Sequence, residues 1–330
     1  MINLKKVGLT ALAGSLVAFS ANAADLSLSG GVELTYVDTG GTAINEVTGN
    51  SYGANSNMAA TASGDVGFGT LSMTRGISQT GGLTSSFQSL DMGDAGILSF
   101  DSVAGAMVGL TANDDLLPSA YEEAWTGVSG SGISGVGSTN VIGYRNTFAG
   151  ISISAGYTNG EGAGATAESA SSGAGHHGST TDIYISMSPI DGLTIGAGTS
   201  TNTSSNLSTN ATADTDEVVA HVVYSNGPVS VGYRTAQSDS GVAGTAGSEI
   251  EGYSIAFNVN DNFAVSYGVQ DTTTKSIAGS TAVTEEVDGI SAAYTVGAAS
   301  VRINHSNSGN DGGVTGTDDE TTEIGVVLSF

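Results

Sequence analysis

Cysteine is absent from the 330 residues, proline occurs three times and tryptophan once. With no thiol there can be no disulfide framework and no thiolate metal site. Basic residues are nearly as scarce, seven Lys and Arg against 32 Asp and Glu, for a net charge of −25. A chain this acidic will not hold nucleic acid or anionic lipid by charge; it attracts cations. Beyond the N-terminus no apolar run reaches the roughly 18 residues of a membrane helix. If the chain crosses a membrane, it must therefore do so as a closed β-barrel. No nucleophile–base pair and no phosphate-cradling glycine loop occurs, so the sequence reads as a non-enzyme. His176 and His177 lack a spaced third ligand and read as a surface pair in a loop.

The first residues, MINLKKVGLTALAGSLVAFSANAA, have a basic start at Lys5 and Lys6, an apolar stretch over 7–19 and a small-x-small site at Ala21-Asn22-Ala23. This is a Sec-type signal peptide over 1–23, and 24–330 reads as a single barrel domain. Cleavage leaves five basic residues against 32 acidic ones, a net charge of −27, with Lys275 the only lysine.

The 50 glycines sit between segments that alternate apolar and polar residues, the period of a strand with two unlike faces. In 151–157 the apolar row is Ile151, Ile153, Ala155 and Tyr157, and the other row is Ser152, Ser154 and Gly156. Tight turns such as Asp191-Gly192 and Asn226-Gly227-Pro228 join such segments in pairs. The gaps alternate short and long. Sixteen strands result, an all-β antiparallel transmembrane barrel with short periplasmic turns on one rim and long outer loops on the other. Aromatics gather where strands meet turns, at Phe148, Tyr224, Phe257, Phe263, Tyr294 and Phe330, as an interfacial girdle would.

The final segment, TEIGVVLSF, places Val326, Leu328 and Phe330 on one face. It resembles the C-terminal signature of bacterial outer-membrane proteins, a terminal aromatic with apolar residues two and four places earlier. In those proteins the segment is the signal read by the barrel-assembly machinery. Four stretches together, DLSLSGGVELTY, GDAGILSFDSVAGA, the long loop over 103–138 and the terminal Phe330, make the chain resemble the bacterial general porins. The similarity is greatest to the glycine-rich acidic, Rhodobacter-like type of the alphaproteobacteria. The resemblance implies an outer-membrane homotrimer of water-filled channels for ions and small hydrophilic solutes, with the third outer loop folded into the lumen.

That loop carries Asp114, Asp115, Glu122 and Glu123, and 116–125 has helical character with Asp114 as a cap. Arg145, Arg234 and Arg302 run out of phase with the apolar rows of their strands, which points them into the lumen opposite the loop acids. These seven residues are the expected pore constriction, and the excess of acid favours cations. Arg75 breaks the pattern by sharing the phase of Leu71 and Met73, so either a bulge intervenes or it sits at the outer rim or a trimer contact. The alanine- and glycine-rich 58–68 suits close packing of barrels. No cofactor is expected; the acid groups Asp214/Asp216/Glu217, Glu285/Glu286 and Asp318/Asp319/Glu320 are the places where calcium could bind.

Overall fold

The computed structural model describes residues 25–42, 50–103, 108–110, 113, 116–128, 133, 135–137, 140–159, 176–206, 211–241, 245–275 and 281–330. The signal-peptide reading lies outside these residues, as do Asp114 and Asp115.

Sixteen antiparallel strands close into one barrel in sequential order, with β1 hydrogen-bonded to β16. They are β1 (Asp25–Gly41), β2 (Tyr52–Asp65), β3 (Thr70–Ser78), β4 (Leu83–Asp91), β5 (Ile97–Val103), β6 (Val141–Phe148), β7 (Ile151–Asn159) and β8 (His176–Ile190). The second half comprises β9 (Leu193–Asn206), β10 (Ala211–Asn226), β11 (Val229–Ser240), β12 (Ser248–Asn260), β13 (Phe263–Thr274), β14 (Val283–Val296), β15 (Ala299–Gly309) and β16 (Asp318–Ser329). Sequential antiparallel pairing needs only hairpins, and closure leaves no edge strand to aggregate. Several strands outrun their alternating segments. β8 starts at His176, so the histidine pair enters a strand and not a loop. A ladder above the apolar belt has no need of alternation, because both faces there meet water.

The seam is closed at Phe330. Its amide donates to the Gly30 carbonyl at 2.9 Å, and the Gly30 amide donates to the Phe330 carbonyl at 3.2 Å. The Phe330 ring lies on Gly30 so closely that a Cβ there would sit 2.8 Å from it. Val326 faces Leu34 and Leu328 faces Val32 across the seam, and all four point outward, exposed. The ring itself is 80 % exposed. This barrel carries its large apolar side chains on the outside, the reverse of a water-soluble domain. Ile183, Ile185, Met187, Tyr253, Ile255 and Phe257 are all exposed, whereas Tyr184, one residue out of phase, is buried inside.

One expected element is missing. Residues 116–128 form no helix; they are irregular apart from a turn over 124–127. Pro118 disfavours the helical region for Leu117 before it, and has no N–H of its own. The amides that a helix would have satisfied find partners on the barrel wall.

Candidate functional site: the loop inside the barrel

Between β5 and β6 the chain turns into the lumen and lies along the inner wall. Three inward carboxyl and hydroxyl groups anchor its outgoing and returning limbs. Asp182 Oδ2, on β8, accepts from the Leu110 amide at 3.0 Å and from the Val136 amide at 3.0 Å. Ser154 Oγ on β7 accepts from the Gly109 amide at 2.7 Å, and Glu217 Oε2 on β10 from the Gly135 amide at 2.9 Å. Gly109 has φ +60, and a Cβ there would collide with the Asp182 carboxylate, so only glycine lets the backbone pass this close. Leu110 and Ile133 then pack with Tyr184, Val219, Ala236 and Ile250 in the main apolar cluster.

Further along, Ser266 on β13 accepts from the Ala120 amide at 2.8 Å, and Ser291 on β14 from the Tyr121 amide at 3.2 Å. Leu117 and Pro118 fill the space above Gly232, and Ala124 lies on Gly289. The Thr321 hydroxyl on β16 donates to the Gly127 carbonyl at 2.7 Å. The loop thus follows the wall from β6 to β16. The inner faces of β2–β4 form the opposite bank.

Arg234 points inward but is 2 % exposed, shut beneath the loop. Its guanidinium lies 5.6 Å from the centre of the Trp125 ring and donates to Gln270 Oε1 at 3.2 Å. It is a support for the loop and does not face open water. This explains the place of the single tryptophan: its π face helps to compensate a desolvated cation. Arg302 is partly exposed, lies 4.9 Å above the Tyr121 ring and donates from Nε to Ser300 Oγ at 3.2 Å. Arg145 also faces inward, beside Ser154 in register, and lines a lumen recess together with Asp91 and Asp94.

Glu122 and Glu123 are half-buried on the loop. Burial pushes the Glu122 carboxyl above the usual carboxylate range, partly opposed by a 3.1 Å bond from the Thr126 hydroxyl. Two wall acids that sequence reasoning missed stand beside them. The Tyr121 hydroxyl donates to Glu323 Oε1 on β16 at 2.8 Å, and Glu33 Oε1 on β1 lies 3.5 Å away. Both acids were detectable, since they run out of phase with the apolar rows of β1 and β16 just as the arginines do on their strands. Across 25–103 the sequence holds a single base, Arg75, and it points outward. The bank opposite the loop therefore carries acid and hydroxyl groups but no positive charge among the described residues.

The acid groups considered for calcium are split by strand alternation. Glu217, Glu285 and Asp319 are buried, while their neighbours Asp216, Glu286 and Glu320 point to the other face. Among the described residues no three Asp, Glu or His side chains come together to hold a metal.

The closed sixteen-strand barrel is similar to solved structures of outer-membrane porins. The fold is that of the porins. This porin fold aligns with OmpT of Vibrio cholerae lacking loop L8 at a TM-score of 0.68 and 13 % identity, covering 93 % of this chain and 100 % of that one. It aligns with the anion-selective porin from Comamonas acidovorans at 0.65 and 15 % identity, covering 93 % and 100 %. OmpF of Salmonella typhi, in complex with daunomycin, aligns at 0.65 and 14 % identity, covering 92 % and 97 %. At such identities the porin fold is shared and the lumen chemistry is this chain's own. No family model and no curated protein matches the sequence.

Proposed function

We propose that the protein is an outer-membrane porin, a general porin of the alphaproteobacterial type, whose water-filled lumen passes ions and small hydrophilic solutes by diffusion and prefers cations. The observation that carries this reading is the pairing of an apolar exterior with a polar lumen narrowed by an acidic loop, with Arg234 removed from the pore by burial. A lumen lined by one sign of charge concentrates the opposite ion. The loop tip at Glu122, Glu123 and Tyr121 touches Glu33 and Glu323, so acids of loop and wall gather on one side of the passage and favour cations.

The assembly we propose is a homotrimer, reached through Sec export and insertion by the barrel-assembly machinery. Its support is the outer wall of β2–β4. There the outward row of β2 is Ala54, Ser56, Met58, Ala60 and Ala62, which lets another barrel approach. Arg75 stands in register with Ala60 on that wall, five residues from the start of β3. Its Nη1 donates to the Thr74 carbonyl at 2.8 Å. The Gln88 amide, with its oxygen turned toward the guanidinium, accepts at 3.0 Å from both Nη atoms. An arginine at mid-height facing lipid would cost about 2–4 kcal/mol, so protein cover is the cheaper state.

Swelling of liposomes containing the protein tests the diffusion reading. Rates should fall smoothly with solute size and show no saturation. Saturable uptake of one solute would point instead to a substrate-selective channel.

A further inference from the structure

Tyr121 is fixed at both ends. Its amide donates to Ser291 on β14, and its hydroxyl reaches past β15 to Glu323 on β16, beside Glu33 on β1. The side chain therefore ties the loop to the strands that close the barrel. The Arg302 guanidinium covers one face of the ring, which limits its rotation. The 2.8 Å contact is a charge-assisted bond, shorter and stronger than a neutral one. Burial, then Glu323, hold the phenol well above its ordinary pKa, so it remains a donor at any working pH. Among the described residues no base forms an ion pair with Glu33 or Glu323, although Arg302 is a neighbour across the ring.

We infer that Tyr121 is the residue that sets the channel's selectivity, by holding the loop tip at the seam and fixing Glu323 beside Glu33 as a pair of wall charges that passing cations must meet. Tyr121 is a positioning residue, and the carboxylates act on the ion. The expected ions are small inorganic and organic cations. The arrangement differs from an acidic loop facing a basic wall: here the wall at the loop tip carries two acids, Glu33 and Glu323, against one base, Arg302. This inference rests on the channel reading above.

The test compares wild type, Tyr121→Phe, Glu323→Gln and the double variant Glu33→Gln/Glu323→Gln in planar bilayers under a KCl gradient. Gel mobility before and after heating shows that each barrel is folded. The amide of Glu323→Gln can still accept from the phenol, so its open-channel current should stay quiet. Its cation-to-anion permeability ratio should drop about twofold, and the double variant's about fourfold. Tyr121→Phe keeps both charges but releases the tip. Its current noise should rise, and its permeability ratio should change as well. If the Gln variants leave the reversal potential at the wild-type value, the inference is overturned. It is also overturned if Tyr121→Phe raises noise alone, because Tyr121 would then be a strut with no part in selectivity. A wild-type protein that passes no current would refute the channel reading itself, a different result from wild-type current with unchanged variants.

Discussion

Replacing Asp182 with alanine should release the loop and leave the barrel standing. One oxygen of this carboxylate accepts from an amide on the outgoing limb, Leu110, and from one on the returning limb, Val136. The residue is 5 % exposed, so little water is at hand to replace it. A hydrogen bond to a charged group contributes about 1.5–3 kcal/mol, so losing both costs about 3–6 kcal/mol of loop docking. Glu217 with Gly135, Ser154 with Gly109 and the packing of Leu110 remain, and they do not span both limbs through one group. The backbone pairing of β8 with β7 and β9 runs along the whole strand without this side chain, so the heat-dependent gel shift of the barrel should persist. Limited proteolysis in detergent reads the outcome: cleavage within 103–138 should appear in Asp182→Ala under conditions where the wild type is intact. Asp182→Asn keeps one acceptor oxygen and should fall between the two. A loop as protected in Asp182→Ala as in the wild type would show that this carboxylate does not hold it, and the reasoning would fail.

Arg75→Leu should weaken the slow band of unheated protein on a denaturing gel if that wall meets another protomer. A lipid-facing Arg75 predicts the opposite, a barrel more heat-stable by about 2–4 kcal/mol. Deleting Phe330 should reduce insertion far more than Ser329→Asp, because the Phe330 ring is on the outer face and Ser329 on the inner; equal losses would contradict the phase of β16. Neutralising Asp114, Asp115, Glu122 and Glu123 together should move the zero-current potential toward anions, and an unmoved potential would place those acids off the permeation path. Burial raises the Glu122 pKa, so its charge is present at high pH and is lost on acidification earlier than that of an ordinary carboxylate. Cation preference should therefore begin to decline above the usual carboxylate range. The decline should start at lower pH in Glu122→Gln.

The barrel was legible because alternation has a period of exactly two residues wherever one face meets an apolar medium and the other water. That rule placed the rows of β7, β8, β12 and β13 and the inward phase of Arg145, Arg234 and Arg302. It set Arg75 apart but left a bulge and an outward place open, and the register with Ala60 puts it outward. Phase reports a direction and not what covers the side chain, so Arg234 under Trp125 could not be read from it. Applied to acids as well as bases, the same test would have found Glu33, Asp182, Glu217 and Glu323. Which of them would meet ions and which would bind loop amides depends on a path from β5 to β16 that no local pattern encodes. The expected helix failed for a related reason: propensity weighs a segment alone, whereas Ser266 and Ser291 offer its amides partners from distant strands.

The most direct measurement is single-channel recording of the folded wild-type protein in a planar bilayer, in symmetric salt and then across a KCl gradient. The account predicts discrete conductance steps, currents close to linear in voltage, and a reversal potential displaced toward that of potassium. Folded protein that yields no steps, or steps whose reversal potential lies toward that of chloride, would contradict it.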